Sequence, residues 1–252
     1  MKYFKNIKFI LIYIKNSLIS LISFTIIKLI PKKDISKLVN SLKNKKVLVL
    51  GSGPSLDKLT QEIIDRYEAV FFLNSSINVS KLFNFNEKEK FFFNSDLFRF
   101  KQLKNEIYSL DNTWLHVFIP IHLQLFFSFL PFYFNKNVFL IIPKYRVGTP
   151  FEKNVTKSLI TYSHQKSHNI RNLLNIDNFK TFPYTVALNS FFFLISCKVN
   201  KIHYLGCDFS KGRSSFTNDK GSSNFSNNKI NLWVNKLKKL SQNYSIDFKD
   251  LK

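Results

Sequence analysis

The sequence predicts an α/β fold: a Rossmann-like, mostly parallel sheet flanked by helices. Short apolar runs recur along the chain without alternation, which is typical of strands covered on both faces, and helical stretches at residues 57–66 and 97–110 separate several of them. A glycine turn, Gly51-Ser52-Gly53, follows the first run and leads into a helical pattern. The predicted strands are Val47–Leu50, Ala69–Leu73, Phe91–Phe93, Val138–Ile142 and Lys201–Leu205.

The 252 residues are enough for one hydrophobic core, so we expect one folded domain with an N-terminal extension. Pro31 and the charged residues after it interrupt the apolar N-terminal pattern. We therefore assign residues 1–42 to a membrane-associating helix and linker, and residues 43–252 to the folded domain. Within that domain, residues 143–182 are a candidate lid.

The first thirty residues are apolar but carry Lys5, Lys8, Lys15 and Lys28. Their uncharged stretch, Asn16–Ile27, is shorter than the roughly 20 apolar residues that span a bilayer. A helix lying in the membrane interface, with lysines reaching the phosphate head groups, fits this pattern; a helix packed on the core is the alternative. No small-residue cleavage site follows, so a cleaved secretory signal is not favoured. The predicted location is a membrane surface of anionic lipid, to which the chain binds as a peripheral protein.

The formal net charge of +22 raises the question of nucleic-acid binding. Most lysines are scattered singly, arginine is scarce and no aromatic–basic motif of a known nucleic-acid-binding protein is present, so we expect no nucleic-acid partner. Cys197 and Cys207 lie in apolar surroundings and form no CxxC pair. They are predicted to be buried free thiols in a reducing compartment.

The stretch Trp114–Phe134 contains no Lys, Arg, Asp or Glu. Pro120, Pro131, His116 and His122 argue against a straight transmembrane helix in this stretch. We predict a strand followed by an apolar helix, which belong either to the core or to a second membrane contact. The core interpretation is favoured.

The glycine turn places backbone N–H groups at a helix N-terminus, an arrangement that suits phosphate oxygens. It does not complete the dinucleotide fingerprint, because Leu56 occupies the third glycine position and the second strand ends at Asn74 instead of a carboxylate. No Gly-Lys-Ser/Thr follows, which excludes a Walker loop. On spacing alone, a phosphate site and a purely structural turn both stay open.

Small polar residues follow three successive predicted strands. Ser55 or Asp57 can cap the helix after the first strand, and Asn74-Ser75-Ser76 and Asn94-Ser95-Asp96 follow the next two. Because the carboxyl ends of parallel strands meet at one edge of a sheet, these groups are expected to lie together, where ligands of such sheets bind. Amides and hydroxyls can contact a base and ribose without adding negative charge beside a phosphate. The alternative is that Asn and Ser only form turns.

The stretch 183–216 predicts a helix over residues 186–198, a strand, and the turn Gly206-Cys207-Asp208-Phe209. The order of motifs is GxGPSL, a strand ending in Asn, a strand ending FFNSDLF, T-x-A before an apolar helix, and Y-L-G-x-D-F. This order resembles bacterial sialyltransferases of glycosyltransferase family 42, over residues 45–251. A broader group that shares GSGPSL and G-x-D-F, with flagellin-modifying glycosyltransferases and a pterin pyrophosphokinase-like family (domain of unknown function 115), is also similar.

The resemblance implies a single-domain variant of the GT-A fold that transfers sialic acid from CMP-sialic acid to lipooligosaccharide. With the apolar, basic N-terminus, it also implies a peripheral location on the cytoplasmic face of the bacterial inner membrane. The glycine turn would lie near the nucleotide, the strand-end amides would touch the ribose, phosphate or sugar, and the G-x-D-F turn would form a wall of the base pocket. The implied nucleotide-sugar-binding residues are Gly51, Ser52, Gly53, Pro54, Ser55, Asn74, Asn94, Ser95, Thr185, Val186, Ala187, Asp208, Phe209 and Phe216.

The chain departs from the family pattern at several positions. Ser210 and Phe216 stand where the family has two tyrosines that help hold the phosphate, and Pro183 replaces an arginine. No histidine lies between the Gly-x-Asp-Phe turn and the last helix, where the family has its general base. His164 and His168 are therefore the candidate catalytic residues; being four apart, they share a face if helical, and a metal pair is the alternative.

No Asp-x-Asp motif is present, and a monophosphate donor such as a CMP-sugar needs no metal, so we predict no metal and no other cofactor. The predicted function is a metal-independent glycosyltransferase with a nucleotide-sugar donor and a glycan or glycolipid acceptor. The alternatives are a catalytically degenerate nucleotide-binding membrane protein and a pterin pyrophosphokinase-like enzyme.

His203, inside an apolar strand, is predicted to be structural. Four residues are candidates for the positive charge that stabilises the leaving phosphate: Lys144, Arg146, Arg171 and Arg213.

Overall fold

The structure, a computed structural model, describes residues 34–94, 97–118, 126–140, 185–209, 212–217 and 227–252, together with positions 18, 22, 25, 26 and 29. Its seven strands are β1 (Lys46–Leu50), β2 (Ala69–Leu73), β3 (Glu89–Asn94), β4 (Leu115–Phe118), β5 (Val138–Leu140), β6 (Lys201–Leu205) and β7 (Asp247–Asp250). They form one sheet in the order β5-β4-β3-β2-β1-β6-β7, and every pairing is parallel. The predicted Rossmann-like parallel sheet is confirmed.

Helices cover both faces of this sheet. The first face carries α1 (Ile35–Leu42), α6 (Val186–Ser196) and α7 (Asn227–Asn243). The second face carries two 3₁₀ helices, Pro54–Lys58 and Asn74–Lys81, together with α2 (Gln61–Asp65), α3 (Leu97–Gln102), α4 (Lys104–Tyr108) and α5 (Phe126–Asn135).

The apolar strands bury side chains on both faces because successive residues of a strand point to opposite sides. In β1, Val47 and Val49 belong to the core of the first face, and Leu48 and Leu50 to that of the second. All four are fully buried, each worth about 1.5–3 kcal/mol for a side chain of this size. This two-sided burial is why the strands lack the alternating pattern of a half-exposed sheet.

The folded unit includes Ile35–Leu42, which the sequence analysis assigned to the linker. Asp34 caps α1 by accepting a hydrogen bond from the backbone N–H of Ser36 at 2.9 Å. Leu38 and Leu42 are buried in the core of the first face.

The apolar stretch from Trp114 belongs to the core where the structure describes it, as the favoured interpretation predicted. Trp114, Phe129 and Phe132 are buried in the core of the second face, although Phe134 is exposed. Among the described residues, no helix is both long and apolar enough to cross a membrane.

His203 is held on both sides, as expected of a structural histidine. Its Nδ1 lies 2.6 Å from the hydroxyl of Tyr67, and its Nε2 lies 2.8 Å from Oδ2 of Asp247.

Cys197 and Cys207 are buried free thiols, as predicted, and burial raises the pKa of both.

Candidate functional site

The strand order creates a crevice beside β1. The chain passes from β1 to β2 on one side, and β6 returns to pair with β1 on the other. The strand order therefore reverses at β1, and ligands of such sheets bind at the carboxyl edge beside this switch point. The glycine turn follows β1 here, and the turn from Gly206 to Phe209 follows β6.

The glycines of the first loop allow it to pack directly against the second. A Cβ on Gly51 would lie 2.2 Å from the carbonyl oxygen of Gly206, and one on Gly53 would lie 2.4 Å from Oδ2 of Asp208. The backbone N–H of Gly53 donates to the carbonyl of Gly206 at 2.7 Å, and that of Gly51 donates to Leu205 at 2.8 Å. Both glycines are thus required by the close contact of the two loops.

Asp208 joins the same contact through its carboxylate. Its Oδ2 accepts hydrogen bonds from the backbone N–H and the hydroxyl of Ser55, both at 2.9 Å, and the Ser55 hydroxyl accepts one from the N–H of Gly206 at 2.8 Å. Its Oδ1 lies 3.1 Å from Nζ of Lys252. A carboxylate of the chain therefore takes the anion position at the start of the short helix Pro54–Lys58. Burial lowers the pKa of Lys252, but Asp208 and Asp250 together raise it.

These bonds occupy most of the N–H groups that the sequence analysis expected to face a phosphate. Those of Gly51, Gly53 and Ser55 donate within the chain, and Pro54 has none. In the described part of the chain, the N–H of Ser52 is the one in this turn with no protein acceptor. The Ser52 carbonyl, by contrast, accepts a bond from the N–H of Ser214 at 3.0 Å.

Asn74 and Asn94 lie side by side at this edge, as expected of the ends of neighbouring strands. Nδ2 of Asn94 lies 3.3 Å from Oδ1 of Asn74. Asn94 is fully buried and Asn74 is half-buried, with a left-handed backbone (φ 53°) that asparagine tolerates. The hydroxyl of Ser76 joins the ends of β1 and β2, because it accepts from the N–H of Leu73 at 2.8 Å and donates to the carbonyl of Leu50 at 2.7 Å.

Asp57 fastens a further loop over the short helix, a role that the sequence analysis missed. Its Oδ1 accepts hydrogen bonds from the hydroxyl of Ser214 and from the N–H and hydroxyl of Ser215. The bond from Ser214 is the main cause that lowers the pKa of Asp57. Phe216 then packs edge-on against Phe83, with ring centroids 5.9 Å apart. The sequence offered the two serines and the aspartate but no local pattern linking them across the 157 positions between Asp57 and Ser214.

Thr185, Val186 and Ala187 form the start of α6. The hydroxyl of Thr185 accepts a hydrogen bond from the N–H of Leu188 at 3.1 Å and so caps the helix. Because α6 runs back to the start of β6, its N-terminus lies at the carboxyl edge of the sheet. Ala187 is buried and Val186 is half-buried in the core of the first face.

Several predicted site residues lie outside the described residues: His164, His168, Ser95, Ser210, Lys144, Arg146, Arg171 and Pro183, with the whole candidate lid 143–182. In the ranges that are described, no group of three or more His, Cys, Asp or Glu is arranged to hold a metal ion. The prediction that no metal is required stays a prediction.

Fold and site together define an α/β protein with a polar crevice at the switch point of a parallel sheet. No protein-family model and no curated protein matches the chain. Solved structures are similar at low identity. The sialyltransferase CstII from Campylobacter jejuni, in complex with a substrate analogue, CMP-3FNeuAc, is 16% identical, with a TM-score of 0.36 over 82% of this chain and 81% of that one.

Two further structures are similar to the same degree. The monofunctional alpha-2,3-sialyltransferase Cst-I from Campylobacter jejuni is 15% identical, with a TM-score of 0.34 over 82% of this chain and 76% of that one. The sialyltransferase CST-II in complex with trisaccharide acceptor and CMP is 14% identical, with a TM-score of 0.37 over 82% and 81%.

Proposed function

We propose that the chain is a glycosyltransferase that takes a sugar from a CMP-linked donor and passes it to a glycan or glycolipid acceptor. The observation that carries the proposal is the convergence of the four motif-bearing strand ends on the crevice beside β1. The glycine turn, the Asn74–Asn94 pair and Asp208 all lie at that edge. These are the motifs through which the sequence resembles sialyltransferases.

The polar groups of this edge suit a nucleotide monophosphate. Asn74 is half-buried and carries a side-chain amide, and Ser52 has a backbone N–H without a protein acceptor in the described chain. Neither group adds negative charge beside a phosphate. Arg213, half-buried in the loop that Asp57 fastens, is the described candidate for charge near the leaving group.

The reaction is a direct displacement at the anomeric carbon. The acceptor hydroxyl attacks that carbon and gives its proton to a base, while the bond from the anomeric carbon to the phosphate oxygen breaks and its electron pair leaves with CMP. Donors around the phosphate stabilise the negative charge that develops there. His164 and His168 are the proposed bases, and no metal takes part in the proposal.

A second candidate function is a nucleotide-binding protein without transferase chemistry. Two observations favour it. The N–H groups of Gly51, Gly53 and Ser55 already donate within the chain, and no histidine follows His203 in the sequence. Such a protein would bind the nucleotide at the same edge but would not turn over the donor.

Titration calorimetry with CMP, UDP, GDP and ATP, followed by donor turnover with CMP-sialic acid, separates these possibilities. The transferase proposal expects CMP binding, a thermal midpoint that rises with CMP concentration, and release of CMP that loss of both His164 and His168 abolishes. Binding without turnover, with or without acceptor glycans, identifies the second candidate. Binding of ATP in preference to CMP would favour the pterin pyrophosphokinase-like alternative, and no binding at millimolar nucleotide overturns all three.

A further inference from the structure

An exposed apolar face lies on a helical segment before the folded core. Positions 18, 22, 25, 26 and 29 are helical, and the spacing of Leu18, Ile22, Thr25 and Leu29 puts these four on one face of a helix. Leu18 is 53% exposed, Ile22 49% and Leu29 77%. These three account for half of the exposed large apolar side chains of the described chain, which are Leu18, Ile22, Leu29, Leu82, Phe134 and Leu232.

Ile26 attaches this segment to the folded unit. It is half-buried and packs against the core of the second face, formed by the short helices and α2 to α5. Ile26 lies four positions after Ile22, so helical spacing puts it at the border of the exposed face. Leu18, Ile22 and Leu29 are left facing outward although the segment is anchored.

The charge of the surrounding sequence indicates what binds to this face. Residues 1–33 contain no Asp or Glu, and their lysines are Lys2, Lys5, Lys8, Lys15, Lys28, Lys32 and Lys33. A second copy of a chain with a net charge of +22 would be repelled, whereas a surface of anionic lipid attracts it. Exposed leucine and isoleucine beside lysines match the boundary between acyl chains and phosphate head groups.

We propose that the face formed by Leu18, Ile22 and Leu29 docks the chain on the surface of an anionic bilayer. The three apolar side chains enter the acyl boundary, and the lysines that the sequence carries within residues 1–33 supply positive charge for the lipid phosphates. The segment lies on the membrane and does not cross it. This docking would hold the crevice close to a membrane-bound acceptor, but it does not depend on the transferase reaction and can be tested without it.

The test is co-sedimentation of the full-length chain with vesicles of phosphatidylcholine alone and of phosphatidylcholine mixed with phosphatidylserine. The test variant is the double substitution Ile22→Asp and Leu29→Asp. The matched control is Leu232→Asp, because Leu232 is 55% exposed on α7, which packs on the opposite face of the sheet. Circular dichroism melts of all three proteins check that each is folded.

The proposal expects the wild type to bind anionic vesicles and to lose binding as salt is raised. The partition coefficient of the double variant onto anionic vesicles should be lower by about tenfold or more. That of Leu232→Asp should change less than twofold. Equal binding by all three folded proteins overturns the proposal, as does a loss in Leu232→Asp alone. Sedimentation equilibrium tests whether a second copy of the chain binds this face instead. A dimeric wild type and a monomeric double variant would show that it does, and would overturn the proposal.

Discussion

Asp208 and Ser55 are joined by two hydrogen bonds of 2.9 Å, one from the backbone N–H and one from the hydroxyl of Ser55, across 153 positions of the chain. The Ser55 hydroxyl also accepts from the N–H of Gly206. One serine side chain therefore connects the loops that follow β1 and β6. Substitutions in either loop are expected to change the stability of the fold before they change the affinity for a ligand.

Ser55→Ala should lower the free energy of unfolding by about 1–3 kcal/mol. The substitution leaves the buried N–H of Gly206 without its acceptor and removes one of the two bonds to Asp208. Urea denaturation measures the change. The control is Ser109→Ala, because Ser109 makes one exposed, local bond to the carbonyl of Glu106 at 2.8 Å. Equal and small losses in the two variants would contradict the structural role given to Ser55.

Gly53→Ala should also destabilise the fold, by about 1–3 kcal/mol, because the added methyl group overlaps its neighbours. Its Cβ would lie 2.4 Å from Oδ2 of Asp208 and 2.8 Å from the carbonyl oxygen of Gly206. Thermal and urea denaturation measure the effect, with Ser52→Ala as the control in the same turn. A Gly53→Ala protein with unchanged stability and weakened nucleotide binding would show instead that this glycine contacts the ligand and not the second loop.

The sheet could be predicted from the sequence because the signal for each strand is local. A run such as Ala69–Leu73 is apolar throughout since both faces of its strand are covered, and the strand occupies the same residues. The proximity of Asn74 and Asn94 could also be predicted, because neighbouring parallel strands end at the same edge of a sheet. β7 is the last strand in the order of the described sheet, and its burial alternates, so its apolar signal is weak.

The contacts inside the site could not be predicted in the same way. From the sequence, Asp208 was expected in the wall of a base pocket and the N–H groups of the glycine turn on a phosphate. In the structure, Asp208 accepts hydrogen bonds from Ser55, and the N–H of Gly53 donates to the carbonyl of Gly206. Pairings such as Asp57 with Ser214 depend on how two distant loops meet after the sheet has formed. No pattern of hydrophobicity or spacing encodes them.

Raising the pH should destabilise the wild type more than Tyr67→Phe. Burial raises the pKa of Tyr67 to about 12 from 10.0, so between these values the folded state keeps a proton that the unfolded chain has lost. Its contribution to stability is therefore complete below pH 10 and falls as pH rises toward 12. Tyr67→Phe lacks this titration, although it is less stable at neutral pH because Nδ1 of His203 loses its partner. Urea midpoints at pH 8, 10 and 11 measure the difference, and parallel pH profiles would contradict it.

Asn74 offers the sharpest test of the crevice as a nucleotide site. The residue is half-buried at the carboxyl edge, and its backbone φ of 53° favours glycine as the replacement, because alanine would add backbone strain to the loss of the amide. Asn74→Gly should keep the fold and lower the affinity for CMP by about 5- to 100-fold, the range expected when a polar group of the bound nucleotide loses its hydrogen-bond partner.

Asn44→Gly is the matched control for that measurement. Asn44 also has a left-handed backbone, with φ 64°, but it lies just before β1, at the opposite edge of the sheet. Titration calorimetry with CMP should give the wild-type affinity for this variant, while urea denaturation shows both variants folded. If both bind CMP as tightly as the wild type, the polar strand ends are turns and the nucleotide lies elsewhere. If both lose affinity together, the loss reflects general destabilisation and the assignment of Asn74 fails.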